Sequence, residues 1–257
     1  MKQLLLVCLL LVSGHAAADP GLELVVRRPE GAGPFPAVVL VHGHSRERRG
    51  AADVLGVADE LVKKGWVAVA VSLPGYGKSH GEPDYCGPRS QEAVLAAVRH
   101  ARAQRGVDGK RVAVYGMSRG AVTAAMAAAK DPQLAALVLV TPIYDLGATY
   151  RRMRSSEDPA AHGVAEAIAA EAGTDSAAFA VRSPLAVAEK IKAPTLILAG
   201  GKDPRIDLDE PNQLAHNIAG GGTAVVFAEA ANTIPDNLRD ARVLPFLEKN
   251  LARAQRP

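Results

Sequence analysis

The sequence predicts an α/β fold with a mostly parallel central sheet flanked by helices, and three observations carry that reading. Short apolar, β-branched runs recur along the 257 residues. Between them lie segments whose apolar residues fall on a helical spacing. Each run ends in a cluster of Gly, Pro, Ser or Asp. Parallel strands need long right-handed crossovers, so this strand–helix rhythm implies a doubly wound sheet.

Taken in order, Leu22 to Arg27 reads as a first strand, and Pro29 to Pro34 as a turn. Pro36 to Val41 is an apolar run of the buried parallel kind and ends in His42-Gly43-His44-Ser45, at a strand end where open α/β sheets hold ligands. Val54, Leu55, Ala58, Leu61 and Val62 form one helix face, which Gly65 stops. Trp66 to Val71 is the next strand, and Leu73 to Gly81 a turn-rich loop. Ala93, Val94, Ala97, Val98 and Ala101 line the inner face of a second helix. Val107-Asp108-Gly109-Lys110 reads as a loop before the strand Arg111 to Tyr115. Gly120 to Lys130 is an Ala-rich helix, and Leu137 to Val140 a strand ending at Thr141-Pro142.

The rhythm breaks between Tyr144 and about Ser183, where only Val164 to Ala172 reads as a helix. An insertion here would lie over the strand ends as a small cap. Arg151, Arg152 and Arg154 are expected on a solvated face. Regularity returns with a helix from Ser183 to Lys190, the strand Thr195 to Ala199, and Gly200-Gly201-Lys202-Asp203-Pro204-Arg205-Ile206. A helix through Leu214, Ala215 and Ile218 follows, then a last strand, Thr223 to Phe227, and a closing helix from Leu238 to Leu251.

Residues 1–18 read as a secretory signal: Lys2, the nine apolar residues Leu4 to Val12, and Ala16-Ala17-Ala18. Nine residues fall short of the roughly 20 needed to span a bilayer, so export to the periplasm or beyond is expected, with no stable membrane insertion after cleavage. The remainder, residues 19–257, reads as a single domain. Cys8 would leave with the signal, and Cys86 then has no intramolecular partner. The net charge of +3 is scattered along the chain, which gives nucleic-acid binding no support. Nothing in the pattern sets an oligomeric state.

Gly116-Met117-Ser118-Arg119-Gly120 is G-x-S-x-G between a strand and a helix, the context of a nucleophile elbow. With His42-Gly43-His44, Pro74 to Ser79, Ala193 to Leu198 and Gly200 to Asp203, the chain resembles the α/β-hydrolase superfamily over residues 22–251, nearest to dienelactone hydrolase-like and prolyl oligopeptidase-like serine hydrolases. The resemblance implies an α/β-hydrolase fold and hydrolysis of an ester, lactone or short acyl or peptide bond through an acyl-Ser118 intermediate. The substrate or ligand would be a small acyl-bearing molecule, with no cofactor. It also implies oxyanion donors at the backbone of Arg119 and His44, and an acid at Asp203.

The base departs from that pattern. The superfamily places a histidine after the last strand, where this chain has Asn232, and no histidine follows His216. A neutral amide cannot take a proton near neutral pH. Three readings stand: a non-catalytic binding protein on this fold, a working enzyme that uses His44 or His80 as substitute base, and an enzyme in which Asn232 replaces the base. A metal on His42 and His44 lacks a carboxylate or cysteine nearby, so no metal is expected.

Overall fold

A computed structural model describes residues 21–252; the signal segment read at 1–18 lies outside them. Seven strands form one sheet in the order β1-β3-β2-β4-β5-β6-β7: β1 (Leu24–Arg27), β2 (Phe35–Val41), β3 (Val67–Val71), β4 (Val107–Met117), β5 (Ala136–Val140), β6 (Thr195–Gly200) and β7 (Gly222–Phe227). Only β1 runs antiparallel, against β3. The chain winds one way from β2 to β3 and the other from β4 onward. The crevice of the sheet therefore opens between the carboxyl ends of β2 and β4, where Val41 is registered against Gly116.

The apolar runs form strands because both faces are covered, so polar residues have no place in them. On one face, α2 (Pro88–Ala103), α3 (Arg119–Ala128) and α7 (Glu210–Asn217) pack through Val94, Ala97, Val98, Ala121, Ala124, Ala125 and Leu214. On the other, α1 (Leu55–Lys63) and α8 (Asp236–Leu251) contribute Ala58, Leu61, Val243, Leu247 and Leu251.

The structure differs from the sequence reading in three places. Val107 to Lys110 continues into β4 instead of looping. The segment after Tyr144 holds three helices: α4 (Leu146–Arg154), α5 (Pro159–Ala172) and α6 (Ser176–Ala180). Each begins with an aspartate whose side chain accepts from the first turn: Asp145 from Ala148, Asp158 from Ala160 and Asp175 from Ala178. Finally, Arg152 is not simply solvated. Its Nη1 donates to the Arg205 carbonyl at 2.7 Å.

Candidate active site

Ser118 sits at the end of β4 with φ 51° and ψ −119°, a backbone conformation costing about 1–3 kcal/mol that persists only where its surroundings enforce it. Two glycines make the turn possible. A Cβ on Gly116 would run into the Gly120 carbonyl, and one on Gly120 into the carbonyls of Val41 and His42. The Ser118 N–H donates to the Val140 carbonyl at 2.8 Å, tying the turn to β5. Gly43 stands beside it: a side chain there would come within 3.2 Å of the Ser118 Cβ. The strand end carrying His44 and the first residue of α3, Arg119, are thus brought to the serine.

Asp203, in the turn after β6, is buried. Its carboxylate faces Arg205: Nε donates to Oδ1 at 2.9 Å, Nη2 to Oδ2 at 2.6 Å, and the Arg205 backbone N–H to Oδ1 at 3.0 Å. This is a bidentate pair out of water, the strong form of carboxylate–guanidinium contact. The same guanidinium reaches the serine, with Nη1 3.3 Å from Ser118 Oγ, and Nη2 contacts the Thr141 carbonyl at 3.3 Å. The Arg205 carbonyl accepts from Thr149 Oγ1 at 2.9 Å and from Arg152, so α4 holds the residue from behind. Asp203, Arg205 and Ser118 form one line. Its middle member is a guanidinium cation, a donor with no lone pair to accept a proton, and so cannot act as a base.

Asn232 lies in the loop after β7. That loop is pinned to the end of β6, where Lys202 N–H donates to the Ala230 carbonyl at 2.8 Å and a Cβ on Gly200 would strike the Ala231 carbonyl. Among the described residues, Asn232 hydrogen-bonds only through its backbone carbonyl, which accepts from Thr141 Oγ1 at 3.2 Å. Its amide therefore does not bridge Asp203 and Ser118, because Arg205 already takes both carboxylate oxygens. Asn232 does line the cavity of about 380 Å³ into which Ser118 opens, together with His44, Arg49, Asp53, Asp236 and Arg239.

No histidine ring hydrogen-bonds Ser118 among the described residues. The His44 Nδ1 lies 2.8 Å from the Tyr76 hydroxyl, and partial burial, aided by Arg119, holds its pKa below the ordinary histidine value. The exposed His80 uses its backbone, donating to the Gly21 carbonyl at 2.8 Å. The buried His42 accepts from the Leu73 N–H at Nε2 (3.0 Å), so its Nδ1–H donates to the Gly43 carbonyl (2.6 Å) and the ring props the strand end. Cys86 is buried and its thiol is pushed up to about 12 by burial, which removes it as a nucleophile. Among the described residues no group of His, Cys, Asp and Glu could hold a metal.

The sequence profile of the X-Pro dipeptidyl-peptidase (S15) family matches residues 21–178, more than half of the chain. The chain belongs to that family. This S15 chain is also 31% identical over 134 residues to the thiohydrolase aneE of Aspergillus aculeatus, an alignment covering 51% of the chain and 41% of that relative. Among solved structures, the 2,6-dihydroxy-pseudo-oxynicotine hydrolase superposes with a TM-score of 0.68 at 22% identity, covering 89% of this chain and 62% of that one. The acylaminoacyl peptidase of Pyrococcus horikoshii gives 0.71 at 20%, covering 92% and 40%. The S15 chain thus spans about two fifths of its curated relative and less than two thirds of the first of these structures. Its fold is that of the α/β-hydrolase superfamily of serine hydrolases.

Arg205 is the site residue that sequence reasoning missed. The available signal was an arginine two residues after Asp203 in a chain with no histidine after the last strand to claim that carboxylate.

Proposed function

We propose that this S15 chain hydrolyses ester or short peptide-like acyl bonds through an acyl-Ser118 intermediate, slowly, because no histidine serves as its base. The observation that supports the reading is the placement of Arg205 between Asp203 and Ser118. Ser118 attacks the carbonyl carbon, and the backbone N–H groups of Arg119 and His44 receive the developing oxyanion. Arg205 stabilises the serine oxygen as it gains negative charge but accepts no proton, so solvent must remove it. In subtilisin, loss of the triad histidine costs on the order of 10⁶ in turnover. Helices α4 to α6 serve as the cap: Glu171 of α5 takes the Arg119 guanidinium at 2.8 and 3.0 Å.

The test is the pH dependence of p-nitrophenyl acetate hydrolysis by the protein and its Ser118→Ala variant, with intact mass spectrometry for the acyl adduct. Ser118-dependent turnover that climbs about tenfold per pH unit from 6 to 9 is expected, since solvent hydroxide takes the proton. A plateau near pH 6–7 would reveal a histidine base and sink the proposal. The second reading is a ligand-binding protein on this scaffold, which the Arg205 contact to Ser118 favours. It prevails if neither adduct nor Ser118-dependent turnover appears at pH 10.

A further inference from the structure

Two backbone N–H groups near Ser118 have no partner of their own. Among the described residues, neither the Arg119 N–H, first in α3, nor the His44 N–H donates a hydrogen bond. Both are the donors that the acyl-Ser118 reading gives to the oxyanion. Such a donor lowers a barrier only where it is aimed before the charge develops. What fixes each residue therefore bears on the rate.

Arg119 is fixed at both ends. Its carbonyl accepts from Thr123 Oγ1 at 2.9 Å and from Cys86 Sγ at 3.2 Å. Its guanidinium lies 3.9 Å over the Tyr85 ring, and Nη1 donates to both carboxylate oxygens of Glu171, at 3.0 and 2.8 Å. The two side chains of that ion pair are 12% and 21% exposed. His44 is tied instead through Nδ1 to the Tyr76 hydroxyl, within the loops at the sheet edge. Of the two donors, Arg119 is the one bonded to the inserted helices, through the last turn of α5.

The groups that meet Arg119 come from a strained turn. Tyr85 and Cys86 carry φ 43° and 65°, a left-handed conformation that residues with side chains rarely adopt. Such strain persists only where neighbours over-determine it. Here the Asp84 carboxylate accepts from the Arg89 and Ser90 N–H groups at 2.9 and 3.3 Å, and the Asp84 carbonyl accepts from Arg182 Nε at 3.0 Å. Gln91 Nε2 donates to the Cys86 carbonyl at 2.8 Å. What the turn delivers is a ring beneath the Arg119 guanidinium and a thiol on the Arg119 carbonyl.

Docking of α5 does not need the ion pair, because Ile168 is buried in one apolar cluster with Val122, Met126 and Ile143. A buried ion pair also adds little net stability over apolar groups of the same volume, since desolvation offsets the attraction. What it adds is direction. We infer that Glu171 is a positioning residue of the oxyanion hole: by holding the Arg119 guanidinium it keeps the N–H beside Ser118 aimed, so the inserted helices set the rate. This rests on the acyl-Ser118 reading above.

Phenylboronic acid probes the donors directly. Its boron bonds to Ser118 Oγ, the hydroxyl proton passes to solvent, and the anionic tetrahedral adduct takes the place of the intermediate. At pH 8, Glu171→Gln is expected to weaken its calorimetric binding about tenfold and to lower kcat for p-nitrophenyl acetate as much, with KM within about twofold. That is part of the roughly 10²–10³ that a lost donor costs. Glu171→Asp, which keeps the carboxylate, should recover most of both. Arg119→Met with Glu171→Leu strands no charge; it should fold as stably as the parent while both losses remain, and it decides alone should Glu171→Gln fail to fold. Binding and kcat unmoved, a loss confined to KM, or catalysis recovered with stability in the double variant would overturn the inference. Ser118→Ala and intact mass separate it from the reading beneath it. Ser118-dependent boronate binding that Glu171→Gln weakens, without an acyl adduct, fells the acyl-Ser118 reading alone. An adduct formed equally fast by parent and Glu171→Gln fells the positioning role alone, and a parent that forms neither adduct nor boronate complex fells both.

Discussion

Arg205 holds Asp203 by both carboxylate oxygens, Nη2 to Oδ2 at 2.6 Å and Nε to Oδ1 at 2.9 Å, and the two side chains are 11% and 1% exposed. In a hydrolase of this fold that carboxylate would orient a histidine. Here it neutralises a guanidinium whose far end meets Ser118. The acid is thus spent on holding a cation beside the nucleophile.

Truncating one member of the pair leaves a buried charge without a partner. Arg205→Met should lower unfolding stability by about 3–5 kcal/mol in urea titrations at pH 7. Arg205→Met combined with Asp203→Leu should recover most of that loss, because two apolar side chains of similar volume need no solvation. A double variant no more stable than the single one would show that Arg205 acts through its other contacts, to Thr141 and Ser118.

Restoring a histidine at position 232 should not by itself restore catalysis. Asn232→His would meet an Asp203 already occupied, and its Ser118-dependent esterase rate should stay within about threefold of the starting protein. Asn232→His with Arg205→Ala frees the carboxylate and should raise the rate by about 10²–10⁴, the usual contribution of a positioned general base. A full gain from Asn232→His alone would mean that Arg205 yields its place readily.

Gly120 has no room for a side chain against the carbonyls of Val41 and His42. Gly120→Ala should cost about 3 kcal/mol or more, at the upper end of overpacking effects, and should appear as a drop in melting temperature together with loss of any acyl adduct. A melting point within a degree of the parent would show that β2 and α3 can separate freely.

A buried histidine sets a pH dependence of stability. Burial holds the pKa of His42 below the ordinary 6.5. The unfolded chain therefore binds a proton that the folded chain refuses once the pH falls below about 6.5. Stability should decline from pH 7 towards pH 5, by at most about 1.4 kcal/mol per pH unit. Urea midpoints across that range check it. Glu23, whose carboxyl lies below its usual value through the Ser72 hydroxyl and Lys78 despite burial, adds a loss of the same sign only below about pH 4.5.

Much of the fold was legible because the sheet is covered on both faces: Pro36 to Val41 and Leu137 to Val140 have no polar residue to mislead a reader. Ser118 was legible because two backbone collisions demand Gly116 and Gly120 at fixed distances from it. The helices α4 and α6 were not read from periodicity. They are short, and their signals are the capping aspartates Asp145 and Asp175. Arg205 was illegible for another reason: a turn that folds a side chain back onto the carboxylate two residues earlier leaves no periodic trace. The same turn occupies both oxygens of Asp203, so the amide of Asn232, in the loop after the last strand, makes no hydrogen bond to that carboxylate.

The anchoring of the Arg205 carbonyl by Thr149 and Arg152 reaches beyond the site. It fastens α4 to the turn that carries Arg205, so α4 cannot lift without stripping support from the Asp203 turn. In hydrogen–deuterium exchange, the amides of α4 and of the Asp203–Ile206 turn should open as one cooperative unit, while the edge strand β7 exchanges on its own schedule.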